Sequence, residues 1–327
     1  MSEAYAYVAR KPGGPEVLEW TEIDVPQPGP GEVQLRHTAI GVNFLDTYYR
    51  SGLYPWPQST MVPGAEATGV VTAVGQGVNG FLPGDRVAYV TQHGAYCTLR
   101  NLPASQLVII PDGLSDVVAA SAMLKGLTAQ YLITSSYAVK PGDVILVHAA
   151  AGGVGLLLGQ WLKTLGAKTI GTVGSEDKVV LARDHEYDHV SNYREKDFVS
   201  EVQLITKGLG CAVVYDSVGK DTWRGSLQCL QRFGVFVNFG QSSGPIQGFE
   251  LSHLARGSLS AIRPVLFDYI AERSDLERRS EELFRRLVSG EIRVDHITQR
   301  SLDQLVSVHT DLEARRTAGS IVLVPEY

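Results

Sequence analysis

The sequence predicts an α/β protein in which a doubly wound parallel sheet is joined to a β-rich domain. Three observations predict it. The run Val144-Ile-Leu-Val-His-Ala-Ala-Ala-Gly-Gly-Val-Gly-Leu-Leu-Leu-Gly-Gln160 reads as a buried strand, a tight turn of small residues and the start of a helix. From about Ser121 onward, strand patterns alternate with helix patterns, which is the grammar of a parallel sheet covered on both faces. Before that point, short apolar runs are cut by Gly and Pro, as in a twisted, barrel-like β domain.

Taken in order, the β-rich part is carried by Val33-Gln-Leu-Arg-His-Thr-Ala-Ile-Gly-Val42 and Ala67-Thr-Gly-Val-Val-Thr-Ala-Val-Gly75, with Pro26, Pro28, Gly29, Pro30 and Gly31 as one break. Phe81-Leu-Pro-Gly-Asp-Arg-Val87 is a turn feeding a strand. A helix is expected over 119–135, and Pro141-Gly142-Asp143 then turns into the strand Val144–Val147. The helix after the small-residue turn runs through Trp161–Leu165, where Gly166 ends it. Further strands are read at 168–173, 190–193, 212–216 and 234–239, with a helix at 176–183 and others between. The tail adds helices at 274–289 and 301–315 and a strand at 319–325, expected to dock back on the first domain. The domains are therefore drawn as 1–125, 126–264 and 265–327.

Composition bounds the function. The 327 residues suffice for two cored domains, and 44% hydrophobic and 20% charged residues are ordinary for a globular chain. A net charge of −6 offers no broad basic surface, so nucleic acid is not expected as a partner. The cysteines Cys97, Cys211 and Cys229 form no short-spaced pair and read as buried or idle thiols in a reducing compartment. No uninterrupted apolar run reaches the ~18 residues of a membrane span. The start, Met1-Ser-Glu-Ala-Tyr, has neither the basic beginning nor the apolar core of a signal peptide, so a cytoplasmic location is expected.

The turn Ala150-Ala151-Gly152-Gly153-Val154-Gly155 is a G-x-G-x-x-G fingerprint with Ala150 in the first Gly place. Such a turn lets backbone N–H groups approach a pyrophosphate at a helix N-terminus. A dinucleotide cofactor follows. An NAD-selective site wants an acid about 20 residues on, at the ribose 2′-hydroxyl. Here the second strand ends at Val173-Gly174-Ser175, with Lys178 close behind and Tyr193 able to line the same pocket, which favours NADPH. Glu176 and Asp177 argue the other way, unless they are first-turn acids that the helix dipole favours.

Two catalytic patterns are set aside. His185-Glu186-Tyr187-Asp188-His189 matches H-E-x-x-H, but the helix ends there and a strand begins, so a solvated turn is expected. Gly240-Gln241-Ser242-Ser243-Gly244 matches G-x-S-x-G, but Pro245 and Gly248 deny it the helix a nucleophile elbow needs. It reads as a loop at the carboxyl end of a sheet strand. No zinc ligand set is present: Ala65 stands in the turn Pro63-Gly64-Ala65-Glu66, and Cys97 lies in no cluster of four.

With these blocks in order, the chain resembles the medium-chain dehydrogenase/reductase superfamily, and within it the zinc-independent NADPH:quinone oxidoreductases of the zeta-crystallin-like branch. The matching blocks are Gly13–Leu18, Ala39–Tyr48, Arg50–Pro55, Pro63–Gly69, Gly84–Val87, Lys125–Thr128, His148–Gly155, Tyr215–Gly219 and Phe239–Gly244. The resemblance implies a β-rich GroES-like catalytic domain and a Rossmann cofactor domain. It implies that Asn43, where zinc-containing relatives keep a Cys ligand, hydrogen-bonds near the nicotinamide. Asp46 and Tyr48 share that block, and Tyr54 borders the substrate mouth. Asn43, Tyr48 and Tyr54 are thus the catalytic candidates. For the cofactor it implies Asn43 and Asp46; Thr128 at the nicotinamide or phosphates; and Gly152, Gly153 and Val154 at the pyrophosphate. Gly174, Ser175, Lys178, Tyr193 and Arg315 form the 2′-phosphate pocket. Ser217, Phe239, Gly240, Ser242 and Ser243 form the wall from adenine to nicotinamide, with Arg263 at the cleft. Asn43 and Thr128 also read as turn or cap residues, and Arg315 as a surface charge beside Arg316. The chain departs from the family at Asp184-His185-Glu186, a change of turn without consequence for chemistry. The implied reaction is zinc-independent, NADPH-dependent reduction of a quinone bound between the domains. The alternative is an NADPH-dependent reductase of α,β-unsaturated carbonyls. A nucleotide-regulated RNA-binding module is argued against by the acidic charge. A homodimer is implied, with the β edge around 247–262 as candidate surface, pairing through Phe249–Leu251 and Ser258–Ile262.

Overall fold

The computed structural model describes residues 3–56 and 58–326, so Met1 and Ser2 of the N-terminal segment read above lie outside the described residues. The chain forms two compact units, one running through Leu127 and resuming at Tyr269, the other Thr128–Asp268.

The first unit is β-rich. Strands β1 (Ala4–Ala9) and β2 (Leu18–Ile23) pair antiparallel. The long strand β3 (Glu32–Val42) is followed by the seven-residue helix α1 (Phe44–Arg50), then by β4 (Glu66–Val74), β5 (Arg86–Val90), β6 (Leu99–Pro103) and β7 (Leu107–Ile109). Strand β3 buries Val33, Leu35 and Ile40 against Val71, Val87, Tyr89 and Leu107 in one core, and irregularities in its pairing with β4 let Ile40 share the face of Val33 and Leu35. Helix α2 (Asp116–Tyr131) continues as a π-helical turn, Leu132–Ser136. These 21 residues have the length and mean hydropathy of a membrane span, but 83% of their most apolar window is buried inside the protein, so this is a core helix.

The second unit alternates strand and helix: β8 (Val144–His148), α3 (Gly153–Thr164), β9 (Lys168–Val173), α4 (Glu176–Asp184), β10 (His189–Asn192), α5 (Phe198–Ile205), β11 (Cys211–Asp216), α6 (Trp223–Gln228), β12 (Leu230–Asn238) and the short edge strand β13 (Ser260–Ile262). All six strands are parallel, in the order β10-β9-β8-β11-β12-β13. This is the doubly wound Rossmann order, and the direction of winding reverses between β8 and β11. Strand β11 is buried at every residue, as a central strand covered on both faces must be.

The chain then re-enters the first unit. After α7 (Leu266–Tyr269) come α8 (Arg273–Val288), β14 (Ile297–Ser301), α9 (Leu305–Glu313) and β15 (Ser320–Val324). Strand β15 pairs antiparallel with β3 and parallel with β14, extending the first unit's main sheet.

Three local expectations change. The segment 301–315 is not one helix: a short 3₁₀ turn, Leu302–Gln304, precedes α9. The turn 185–189 is solvated only in part, at Glu186, Asp188 and His189. His185 and Tyr187 are buried, and the Tyr187 hydroxyl donates to the Gly155 carbonyl at 2.8 Å, because small residues on α3 leave room for its ring. Phe249–Leu251 is no strand. Phe249 packs against Trp223 at 5.6 Å between ring centres, and Leu251 opens a 3₁₀ turn, leaving β13 alone as the sheet edge.

Candidate active site

In the second unit the sequence-predicted cofactor residues collect at one end of the sheet. Each parallel strand hands its carboxyl end to a loop that carries one or more of them. This is the edge where α/β sheets bind ligands.

After β8 comes the Gly-rich turn. A Cβ on Gly155 would lie 2.5 Å from the Ala149 carbonyl oxygen and 2.6 Å from that of Ala150, so only Gly lets α3 start this close to its strand. Gly152 is the N-cap of α3, with extended backbone and no side chain capping the helix. A Cβ there would meet the Ala149 oxygen alone, at 3.2 Å. The first-turn N–H groups of a twelve-residue helix thus face an open approach, which fits a pyrophosphate.

After β9, Gly174 and Ser175 lead into α4. A Cβ on Gly174 would sit 2.6 Å from the Tyr193 hydroxyl, so Tyr193, just past β10, covers this glycine. The Tyr193 N–H donates to the Val173 carbonyl at 3.0 Å, which locks the two loops together. Glu176, the acid that argued for NAD, accepts from the Asn192 carboxamide at 3.1 Å. Lys178 is half-buried, and burial together with the Arg194 guanidinium holds its ammonium below the usual range. Two cations that repel each other beside a glycine and a serine suit a dianionic phosphate. Arg194 was not read from the sequence. Its signal was available, as the residue after Tyr193 on the loop that follows the third strand.

After β11, the Asp216 carboxylate organises the crevice at the winding reversal. One oxygen accepts from the N–H groups of Val218 and Gly219 at 2.8 and 2.9 Å, the other from the hydroxyls of Thr222 and Ser226 at 2.7 and 2.8 Å. His148 lies 3.0 Å from Ser226 and 2.8 Å from Thr172, which ties the ends of β8, β9 and β11 to one network. Ser217 follows directly. Phe239 and Gly240 follow β12, where Asn238 donates to the carbonyls of Asp216 and Gly240. The Ser242 N–H donates to the Ser217 carbonyl at 3.0 Å and the Ser243 hydroxyl to that of Val218 at 2.7 Å. No helix follows directly, so the 240–244 segment is a loop after β12 and not a nucleophile elbow. Arg263, just past β13, donates to the Asn238 carbonyl at 3.2 Å. Thr128 is buried on α2.

In the first unit, Asn43, Asp46, Tyr48 and Tyr54 gather around α1. Asn43 is the N-cap, and its backbone N–H donates to Asp46 Oδ2 at 2.8 Å, which fixes the start of the helix. The Asn43 carboxamide donates to Glu66 Oε1 at 2.8 Å. Glu66 also accepts from the buried Lys125 Nζ at 2.7 Å and from the partly buried Leu124 N–H at 2.6 Å. Tyr48 and Tyr54 meet edge to face at 5.4 Å, and Tyr49 meets Tyr54 at 5.4 Å and His93 at 6.2 Å. These rings form an aromatic cluster on and just after α1. Sequence reading missed Glu66 and Lys125 as a pair, although both lie in blocks it singled out. Arg315 lies in the first unit just past α9, with left-handed backbone at φ 58°, while Arg316 pairs with Asp311 at 2.6 Å.

Comparison with known proteins agrees with both units. The alcohol dehydrogenase GroES-like domain model matches residues 29–143, and the zinc-binding dehydrogenase model matches residues 153–282. The chain is 49% identical to a quinone oxidoreductase of Salmonella typhimurium, over 96% of this chain and 98% of that one. It is 44% identical to a 2-haloacrylate reductase of Burkholderia, over 98% and 99%. The crystal structure of Escherichia coli quinone oxidoreductase complexed with NADPH superposes with a TM-score of 0.95, at 46% identity, covering 98% of this chain and all of the other.

Proposed function

The chain belongs to the quinone oxidoreductase family of the medium-chain dehydrogenases, and from that premise we propose that it reduces quinones with NADPH and without zinc. When bound, NADPH supplies the hydride. The protein's part is to hold, orient and polarise. The N-terminus of α3, through Gly152, Gly153 and Val154, takes the pyrophosphate. Gly174, Ser175, Lys178 and Tyr193 take the 2′-phosphate with Arg194. Ser217, Phe239, Gly240, Ser242, Ser243 and Arg263 line the remaining path, with Thr128.

The observation that carries the zinc-free reading is the Glu66–Lys125 pair behind Asn43. Its donor set is a carboxamide and a carboxylate already neutralised by an ammonium, with Ala65 alongside. It offers no thiolate or imidazole set for a metal. An acceptor served by this site must take hydride without a Lewis acid. Quinones do so, because the hydroquinone anion is delocalised, and the Asn43 carboxamide, pinned by Glu66, is a preorganised dipole for that developing charge. Tyr48 and Tyr54 give a flat acceptor an aromatic wall.

The resemblance to a 2-haloacrylate reductase favours a second reading, delivery of hydride to a conjugated carbon in the same site. A substrate panel decides between them. NADPH oxidation is followed with p-benzoquinone, phenanthrenequinone, an enone and 2-chloroacrylate. Turnover of the quinones is expected. Turnover of the enone or the haloacrylate with no quinone consumed sinks the main reading. We further place the reaction in the cytoplasm and assign a homodimer joined along the exposed edge strand β13, which size-exclusion chromatography with light scattering checks.

A further inference from the structure

The second unit holds, at the end of β8, a backbone conformation that its residue type does not favour. Among the described residues, six that are not glycine have left-handed backbone. Glu186, Lys207 and Arg315 each stand two residues past the end of a helix, where such a turn is usual. Ala149, at φ 55°, ends no helix. It lies between β8 and the Gly-rich turn, and its carbonyl accepts from the Gly152 N–H at 2.9 Å, so its conformation sets where α3 starts. A residue with a Cβ stays in this region only where its surroundings over-determine it.

Thr172 of β9 pins both neighbours of Ala149. The Ala150 N–H donates to the Thr172 carbonyl at 3.0 Å, and Thr172 Oγ1 lies 2.8 Å from His148 Nδ1. On the other side of the ring, His148 Nε2 lies 3.0 Å from Ser226 Oγ. The direction of these bonds follows from their far end. Ser226 Oγ also lies 2.8 Å from the Asp216 carboxylate and 3.0 Å from the Thr222 carbonyl, and both groups only accept. Ser226 therefore gives its proton to one of them and accepts from His148 Nε2–H. Burial keeps the imidazole neutral, pulling its pKa down against the Asp216 charge. Nδ1 is then free of a proton and accepts from the Thr172 hydroxyl.

A fixed line of side chains thus runs from a carboxylate to a strained backbone. Asp216 orients Ser226, Ser226 orients His148, and Thr172 grips the residues on both sides of Ala149. His148, Thr172, Ser226 and Asp216 are all at most 2% exposed, so water does not compete for these bonds. A turn that relaxed in the free protein would have to be reordered by the ligand, at a cost in affinity.

We propose that His148 is a positioning residue for the cofactor: gripped by Thr172 and Ser226, with Asp216 behind, it holds Ala149 left-handed and so keeps the Gly-rich turn in the form that receives the pyrophosphate. The proposal rests on the reading of Gly152, Gly153 and Val154 as the pyrophosphate site. NADPH and NADH share that group, so the line acts on both cofactors alike, unlike the 2′-phosphate pocket. Glycine adopts the left-handed form without support, so Ala149→Gly makes the line dispensable.

The test is the Kd of NADPH and of NADH, read from nicotinamide fluorescence, in wild type, Ser226→Ala, Ala149→Gly and the double variant. Ser226→Ala should weaken both cofactors by the same factor, about 10-fold, while kcat at saturating NADPH and p-benzoquinone changes less than about 2-fold. In the double variant both constants should return to within about 3-fold of wild type. A loss for NADPH alone, no loss, or a loss that Ala149→Gly does not restore overturns the proposal, as does an equal gain from Ala149→Gly in the wild-type background. Nitrogen-15 NMR of the cofactor-free protein labelled at histidine, with His148 assigned by the signal missing in His148→Gln, should place the proton on Nε2; a proton on Nδ1 overturns it too. Should Ser226→Ala not fold, Thr172→Val, which keeps the carbonyl and loses the hydroxyl, goes through the same comparison with the same outcomes. Gly152→Asp puts a negative charge at an N-cap that favours Asp, and should weaken both cofactors about 100-fold. If it binds both as wild type does, the pyrophosphate reading fails and takes this proposal with it. If it weakens both while Ser226→Ala has no effect, this proposal alone fails.

Discussion

Lys125→Met isolates the electrostatics beneath the candidate site. Glu66 is fully buried and Lys125 is 5% exposed, so the carboxylate depends on its three donors, at 2.6, 2.7 and 2.8 Å, and not on water. Methionine keeps the length and apolar stem of lysine, so little cavity forms and the loss is one of charge. Breaking a buried ion pair by removing one partner costs about 3–5 kcal/mol. The Leu124 N–H and the Asn43 carboxamide remain on Glu66, so the lower end, about 3 kcal/mol, is expected. Glu66→Gln with Lys125→Met removes both charges and leaves an amide able to accept from Leu124. That double variant should cost less than about 1.5 kcal/mol, because replacing a buried pair as a whole is often near neutral. The four proteins are compared by urea unfolding, and the double-mutant cycle gives the coupling. Because Glu66 pins the Asn43 carboxamide, kcat with a quinone should fall in Lys125→Met even under conditions where the variant is folded. A Lys125→Met cost below about 1 kcal/mol, or single costs that simply add in the double variant, would refute the reasoning.

Two further outcomes are expected. Alanine at Lys178 or at Arg194 should raise KM for NADPH about 10- to 100-fold while leaving KM for NADH nearly unchanged, since each removes a charge-assisted contact that only the 2′-phosphate makes; steady-state kinetics with both cofactors checks this, and equal weakening of the two would rule out the pocket. Stability should fall as the solution is acidified. His37 and His309 are buried, each with its pKa lowered from 6.5 to about 3, so their contribution is present above about 6.5 and is lost as pH falls toward 3. Asp46, raised from 3.8 to about 7, acts with the opposite sign, its contribution present below 3.8 and lost as pH rises through 7. Between about pH 4 and 6.5 the unfolded chain therefore binds two more protons at the histidines and one fewer at Asp46. The net of one proton corresponds to a loss of about 1.4 kcal/mol per pH unit. His93 and His148, also lowered by burial, add to it. Urea midpoints across that range should decline accordingly and decline more steeply in Asp46→Asn; a flat profile contradicts the assignment.

Much of the cofactor edge was legible because its signals are local. A strand buried on both faces must be apolar throughout, a helix that starts against its own strand must begin with small residues, and a loop at a strand end announces itself by Gly and Ser. The segments 144–160, 174–178 and 239–244 carry these signals within a few residues, so their order along the chain fixed the doubly wound sheet and the end of it at which these loops collect. The pattern at 185–189 shows the limit of the same logic. Its composition reads as solvated, yet Tyr187 is buried by its fit against α3, a contact that no local pattern encodes.

What the sequence determined by itself was the fold class, the Gly-rich turn and the loops that follow the strands, because backbone periodicity and turn chemistry are set by neighbours in the chain. What only the tertiary structure decided was which polar side chain meets which. Glu66 and Lys125 are 59 residues apart, Arg50 and His309 are 259, and Tyr96 and His309 are 213. Each looks ordinary in its own segment. Burial makes an unpaired charge or polar atom costly, so in the interior each group is defined by its partner through space, and that partner is supplied by the fold. Asp46 Oδ1, buried with no hydrogen-bond partner among the described residues, is recognised for the same reason, since a missing partner shows only after all the others have been placed.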